Sequence, residues 1–149
     1  MLYTTDIKSR QPAVTSVVAE VEARLNASNL GGELAGEVCL ILAEALNNVV
    51  EHAYRYAQDG DINIKVSLVD QWLTISINDF GPAFTIPTTK AILSPDPEEL
   101  ESLPEGGFGW SLIQLLTDKI TLQRINNRNH LELTKKMSDP ACRKPDNFN

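Results

Sequence analysis

No stretch of this sequence approaches the roughly 18 consecutive apolar residues that a membrane-spanning helix needs. Met1 to Arg10 also lacks a basic start followed by an apolar core, so neither a membrane partner nor a secretory signal is expected. Cysteine is scarce: Cys39 lies in an apolar run and Cys142 in a polar tail. Their spacing excludes a metal pair, and a disulfide would have to reach into a core helix. Both therefore read as free thiols of a cytoplasmic protein in a reducing compartment. Positive charge is in deficit, with 13 basic against 20 acidic residues and a net charge of −7, and the basic residues do not cluster. Such a surface repels a polyphosphate backbone, which argues against direct nucleic-acid binding. A single nucleotide remains admissible, because it needs only a pocket of backbone donors and a metal ion. A basic protein partner would also suit this surface. The 149 residues bound one domain, since a second core would be starved of apolar surface.

The apolar pattern predicts an alternation of strands and helices. Leu2 to Ile7 reads as a strand. Pro12 opens a helix in which Val14, Val17, Val18, Val21 and Leu25 recur at three- and four-residue steps. Asn26 to Gly32 is a turn, and a long helix is expected from about Glu33 to Tyr56, ended by Asp59-Gly60. Ile62 to Leu68 and Leu73 to Ile77 alternate apolar with polar residues, which predicts two strands joined as a hairpin. Gly81 to Gly107 carries five of the eight prolines and little apolar pattern, the composition of a functional lid or a disordered loop, here placed at about 85–106. A short helix is expected over Trp110 to Thr117. A closing hairpin follows, Ile120 to Ile125 and Leu131 to Leu133, turning through Asn126 to Asn129. The domain is expected to span 1–137, with 138–149 a disordered tail. Hairpins predominate, so the fold class is α/β, a two-layer sandwich of a mixed, mostly antiparallel sheet with helices on one face.

Three segments carry polar chemistry. The helix around Val38 to Tyr54 is apolar nearly all round and so reads as buried, yet Glu44, Asn48 and His52 recur every fourth residue along one stripe. Burying such groups without partners is costly, which points to a wet cleft or a ligand; a solvated stripe is the other reading. Asn48 offers an oxygen to Mg²⁺, which takes few protein ligands when phosphates supply the rest. Glu44, one turn away, could accept a proton from an attacking hydroxyl. Asp79 continues the inward face of Leu73, Ile75 and Ile77, where a carboxylate beside an apolar plane matches an adenine with its exocyclic amine. A turn-initiating aspartate in Asp79-Phe80-Gly81-Pro82 is equally open from these residues alone. Glu105 to Ile113 runs glycine-rich backbone into a helix, a junction that presents free N–H groups and suits phosphate oxygens. It lacks the Lys-Ser/Thr ending of a Walker loop.

Taken in order, Glu44-x-x-x-Asn48-x-x-x-His52-Ala53-Tyr54, Asp79-x-Gly81-x-x-Phe84 and Gly106-Gly107-Phe108-Gly109 resemble the N, G1 and G2 boxes of the GHKL ATPases. The glutamate four residues before asparagine, followed by His-Ala-Tyr, looks most like the bacterial anti-sigma-factor serine kinases. The resemblance covers about residues 10 to 136 and implies a Bergerat-type fold. It implies ATP and Mg²⁺ as cofactors, with Glu44 as general base and Asn48 as metal ligand. Asp79 would bind the adenine amine, Gly81 would shape the base pocket, and Gly107 and Gly109 would cradle phosphates. Asn48, His52, Phe84, Gly106, Phe108 and Asn129 complete the implied nucleotide site. Implied partners are an anti-sigma-factor antagonist, whose serine receives the γ-phosphate, and a sigma factor held inactive; a homodimer is an option. Two positions depart from the pattern. Ala83 stands where the G1 box often has a second glycine, and Asn129 where the last hairpin usually has threonine, although an amide can still hydrogen-bond. Lys90 is the only basic residue between Gly81 and Leu116, which leaves a non-catalytic nucleotide-binding switch module as the alternative function.

Overall fold

Strict alternation of Ile62, Ile64 and Val66 with Asn63, Lys65 and Ser67 produces a strand buried on one side only, and its neighbours repeat the pattern. The computed structural model describes residues 1–55, 57, 59–86 and 107–137, the side chains of 107 and 108 apart. Most of the expected lid (87–106, including Gly106) and the expected tail 138–149 with Cys142 lie outside the described residues. Strands β1 (Tyr3–Lys8), β2 (Asp61–Val69), β3 (Trp72–Asp79), β4 (Lys119–Ile125) and β5 (Arg128–Lys136) form one sheet in the order β1-β2-β3-β5-β4. The helices are α1 (Gln11–Ala27), α2 (Glu33–Asn48) and α3 (Gly107–Leu116), with a π-helical turn at Val49–Ala53.

The sheet, expected to be mixed and mostly antiparallel, is antiparallel in all four of its pairings. The connections explain this. Two helices separate β1 from β2, so the chain returns to the end it left and the strands pair antiparallel. A single helix, α3, separates β3 from β4, which run parallel, but β5 inserts between them and opposes both. The two hairpin turns are tight. Asp70 has φ 56°, and Asn126 and Asn127 have φ 52° and 60°, the left-handed conformation that two-residue loops demand and asparagine tolerates. Strand β5 consequently begins at Arg128, three residues earlier than the apolar pattern predicts.

The core lies between the sheet and the helix layer. Helix α1 buries Val14, Val17, Val21 and Leu25; α2 buries Val38, Ile41, Leu42, Ala45 and Leu46; the strands add Ile62, Ile64, Val66, Leu73, Ile75, Ile77, Leu131 and Leu133. Each fully buried aliphatic side chain contributes about 1.5–3 kcal/mol, so this layer holds α2 firmly. Pro12 sits in the first turn of α1, where its missing N–H costs nothing. Cys39 is a free thiol directed at the Val18 carbonyl (3.9 Å), and burial pushes its pKa up. The opposite face of the sheet is polar, with Asp6, Asn63, Asn78 and His130 hydrogen-bonded in one row across four strands. No described helix is long and apolar enough to cross a membrane.

Candidate nucleotide site

Helix α2 presents Glu44 and Asn48 one turn apart, and both meet the start of α3. A β-carbon placed on Gly109 would lie 2.6 Å from Glu44 Oε2 and 3.4 Å from Asn48 Nδ2. A glycine here leaves the Glu44 carboxylate in the place a side chain would take. Asn48 is 3% exposed and its Nδ2 has no hydrogen-bond partner. An orphaned amide in an otherwise packed helix is costly unless a ligand completes it. A half-turn of the amide brings Oδ1 to the same place, so the residue fits a metal with phosphate oxygens around it. The glycines were expected to precede the short helix. Gly107 and Gly109 occupy its first turn instead, because α3 begins at Gly107. The N–H groups of that turn, which have no partner within the helix, are the donors a phosphate would use.

The long helix does not continue unbroken to Tyr56. After Asn48 it widens into the π-helical turn, closed by an i→i+5 bond from Tyr54 N to Val49 O of 3.1 Å. Such single π turns occur often at functional sites. The widening rotates the residues beyond it off the stripe, and His52 is solvent-exposed rather than stacked under Asn48. Tyr54 then pins the segment down. Its hydroxyl donates to the Asp61 carbonyl (2.5 Å) and accepts from Phe80 N–H (2.8 Å), and burial pushes its pKa up. A β-carbon at Gly60 would run into the Tyr54 ring at 2.5 Å. Ser9 completes the anchor, donating to Ala57 O and accepting from Gly60 N–H.

This anchoring brings the end of the π turn against Gly81, where a β-carbon would lie 2.8 Å from Ala53 C and 2.9 Å from Ala53 Cβ. Beside it, Asp79 is 1% exposed. Its Oδ1 accepts from Gly81 N–H (2.9 Å) and Asn129 Nδ2 (2.8 Å). Burial pushes the Asp79 carboxyl above its usual range, opposed by the bonds from Asn129 and Gly81 and by the charge of Arg124. Asn129, 2% exposed, also donates to Pro82 O (2.9 Å). Phe84 is half-buried against Trp110, ring centroids 6.3 Å apart. With Asn129 it lines an apolar-walled cavity of about 380 Å³ that also touches Ala83, Ile86, Leu122 and Arg124.

Two clusters therefore emerge along one helix. Glu44, Asn48 and Gly109 stand at one end; Asp79, Gly81, Asn129 and Phe84 stand at the other. Nine positions along α2 and the π turn separate Glu44 from Ala53, against which Gly81 packs. The first cluster offers a carboxylate, a spare amide and helix N–H groups, and the second a buried carboxylate beside apolar wall. His52 joins neither, Gly107 and Phe108 contribute described backbone alone, and Gly106 falls outside the described residues. Sequence reasoning gave no role to Arg124 or the Tyr54 hydroxyl, and it read Gly60 only as a turn. Arg124 had a legible signal, since β4 alternation puts it on the inward face directly across from Asn129.

Comparison with known proteins gives the family. Residues 7–135 match the family model HATPase_c_2, described as the histidine kinase-like ATPase domain. A protein named Serine-protein kinase RsbW from Oceanobacillus iheyensis is 39% identical over 89 residues, 58% of this chain and 54% of that protein. The Staphylococcus epidermidis protein of the same name is 36% identical over 88 residues, 57% and 55% of the two chains. The matched region thus spans about half the length of these curated relatives. Among solved structures, the histidine kinase domain of the Erythrobacter litoralis EL346 blue-light activated histidine kinase superposes with a TM-score of 0.50 at 16% identity, covering 83% of this chain and 61% of that one. At such identity the likeness concerns the fold alone. The chain belongs to the histidine kinase-like ATPase domain family.

Proposed function

We propose that this domain is an ATP- and Mg²⁺-dependent serine/threonine protein kinase. In this reading it phosphorylates an anti-sigma-factor antagonist and sequesters a sigma factor, and so regulates transcription in the cytoplasm. The observation that carries the reading is the convergence of Glu44, the unpartnered amide of Asn48 and Gly109 at the N-terminus of α3. The relatives named as serine-protein kinases supply the reaction class, over about half their length.

Asp79 Oδ1 is occupied by its own chain, so its second oxygen is the one to accept from the adenine amine. Asn48 would ligate Mg²⁺, which when bound draws charge from the transferring phosphates. The N–H groups of the first α3 turn hold phosphate oxygens without a side chain in between. Glu44 then orients the acceptor hydroxyl and takes its proton as the oxygen attacks the γ-phosphorus and ADP departs. Little covalent chemistry is asked of the protein; positioning and charge do most of it. Incubating the purified chain with labelled ATP, Mg²⁺ and its antagonist tests the reading. Transfer of label to a serine supports it. Tight ATP binding with partner capture and no transfer would favour the switch module, which the single basic residue between Gly81 and Leu116 also favours.

A further inference from the structure

Inward-facing residues at the site end of the sheet form one cross-strand row. Asp79 on β3 pairs with Asn129 on β5, and Asn129 pairs with Arg124 on β4. The row is hydrogen-bonded throughout. Arg124 Nη1 donates to Asn129 Oδ1 (3.0 Å) and to the Gly81 carbonyl (2.7 Å). Asn129 Nδ2 donates in turn to Asp79 Oδ1 (2.8 Å) and Pro82 O (2.9 Å).

The direction of these bonds is decided by chemistry. A guanidinium only donates, so the Asn129 oxygen must face Arg124 and its nitrogen must face Asp79. The Asp79 carboxylate and the Pro82 carbonyl, which only accept, already draw the nitrogen, and Arg124 secures the same orientation from the oxygen side; without it the Asn129 oxygen loses its donor and the amide is held less firmly. Arg124 also fixes the Gly81–Pro82 segment, whose backbone abuts the π turn at Ala53. A threonine at 129, one hydroxyl that is both donor and acceptor, would have no orientation for an arginine to set.

We propose that Arg124 is a positioning and specificity residue for the nucleotide base: it locks Asn129 with its nitrogen toward Asp79 and tethers Gly81, so that the Asp79 carboxylate selects an adenine amine over a guanine carbonyl. The proposal rests on the nucleotide-site reading above. Guanine would bring an acceptor against an acceptor there, so discrimination depends on the carboxylate being held as an acceptor in that orientation.

The test is titration calorimetry of Mg·ATP and Mg·GTP on the full chain. Arg124→Met, which keeps the stem and removes the donors, should weaken ATP binding about tenfold, the order of one charge-assisted hydrogen bond, and lower the ATP-over-GTP ratio by a similar factor. Arg124→Lys should restore most of the ratio, because both bonds come from one nitrogen that an ammonium can replace. In an Asn129→Thr background, Arg124→Met should change the ratio less than it does in the parent, since the amide it orients is gone and only the Gly81 tether remains. If Arg124→Met folds poorly, Arg124→Lys carries the comparison: a ratio near the parent's supports the proposal, and a ratio lowered although a donor is present overturns it. An unchanged ratio in Arg124→Met, or equal losses for ATP and GTP, would mean a merely structural arginine and would overturn the proposal. A parent that binds neither nucleotide would overturn the site reading and this inference together. A parent that binds ATP beside an unaffected variant overturns only the role of Arg124.

Discussion

A β-carbon on Gly109 would stand 2.6 Å from Oε2 of Glu44, so the glycine segment and the long helix meet with no room for a side chain between them. The obstructing atom is the end of a flexible side chain, so it is the carboxylate that must move.

Gly109→Ala should therefore separate stability from activity. Alanine in the first turn of α3 is favoured over glycine by up to about 1 kcal/mol, so thermal unfolding should be unchanged or slightly raised. Displacing Glu44 by about 1 Å should slow phosphate transfer by about 10²-fold. A melting curve paired with a transfer assay reads both. Normal transfer in this variant would remove Glu44 from the contact that matters.

Gly81→Ala should behave differently, because its new β-carbon meets backbone, 2.8 Å from Ala53 C. The π turn or the Asp79-Phe80-Gly81 turn has to shift, at a cost of about 1–3 kcal/mol. Lower stability by denaturant titration and weaker ATP binding should appear together. Loss of binding at full stability would contradict the packing described.

Asp79 makes a prediction about pH. Burial raises its folded-state pKa above the unfolded value, so folding favours the protonated form. The stability this contributes is full below the unfolded pKa, near about 4, and is lost as pH rises through the folded value. Asp79→Asn removes that loss while its oxygen can still accept from Gly81 and Asn129. The variant should melt at or above the parent temperature at pH 7, with the advantage vanishing toward pH 4. Its amide nitrogen would face the adenine amine, donor to donor, so ATP affinity should fall at least about tenfold. A variant that melts below the parent at pH 7 and binds ATP equally well would exclude both statements.

Much of this was legible in the residues. Alternation in β2 and β3 placed Asp79 on the inward face, and the four-residue step put Glu44 and Asn48 side by side; the structure keeps both relations. What periodicity could not supply was the fate of the helix beyond Asn48. The apolar pattern runs on through Val49, Val50 and Ala53, but the helix widens there, Tyr54 bonds to Asp61 and Phe80, and His52 stands exposed. The polar run from Asn126 to Asn129 predicts a turn that includes Asn129. Only Asn126 and Asn127 take the left-handed turn, and Asn129 is a strand residue facing Asp79. The order of the sheet was likewise hidden, since no local pattern announces that β5 slips between β3 and β4.

The most direct test of the account is the contrast between Glu44→Gln and Asn48→Ala, each assayed for Mg·ATP binding and for transfer to the antagonist. Asn48→Ala removes an unpartnered buried amide, so the apo protein should stay within about 1 kcal/mol of the parent while binding and transfer fall together. Glu44→Gln should bind ATP nearly as the parent does and transfer phosphate about 10²–10⁴-fold more slowly, the range for a lost general base. Transfer at the parent rate by Glu44→Gln would contradict the account at its centre.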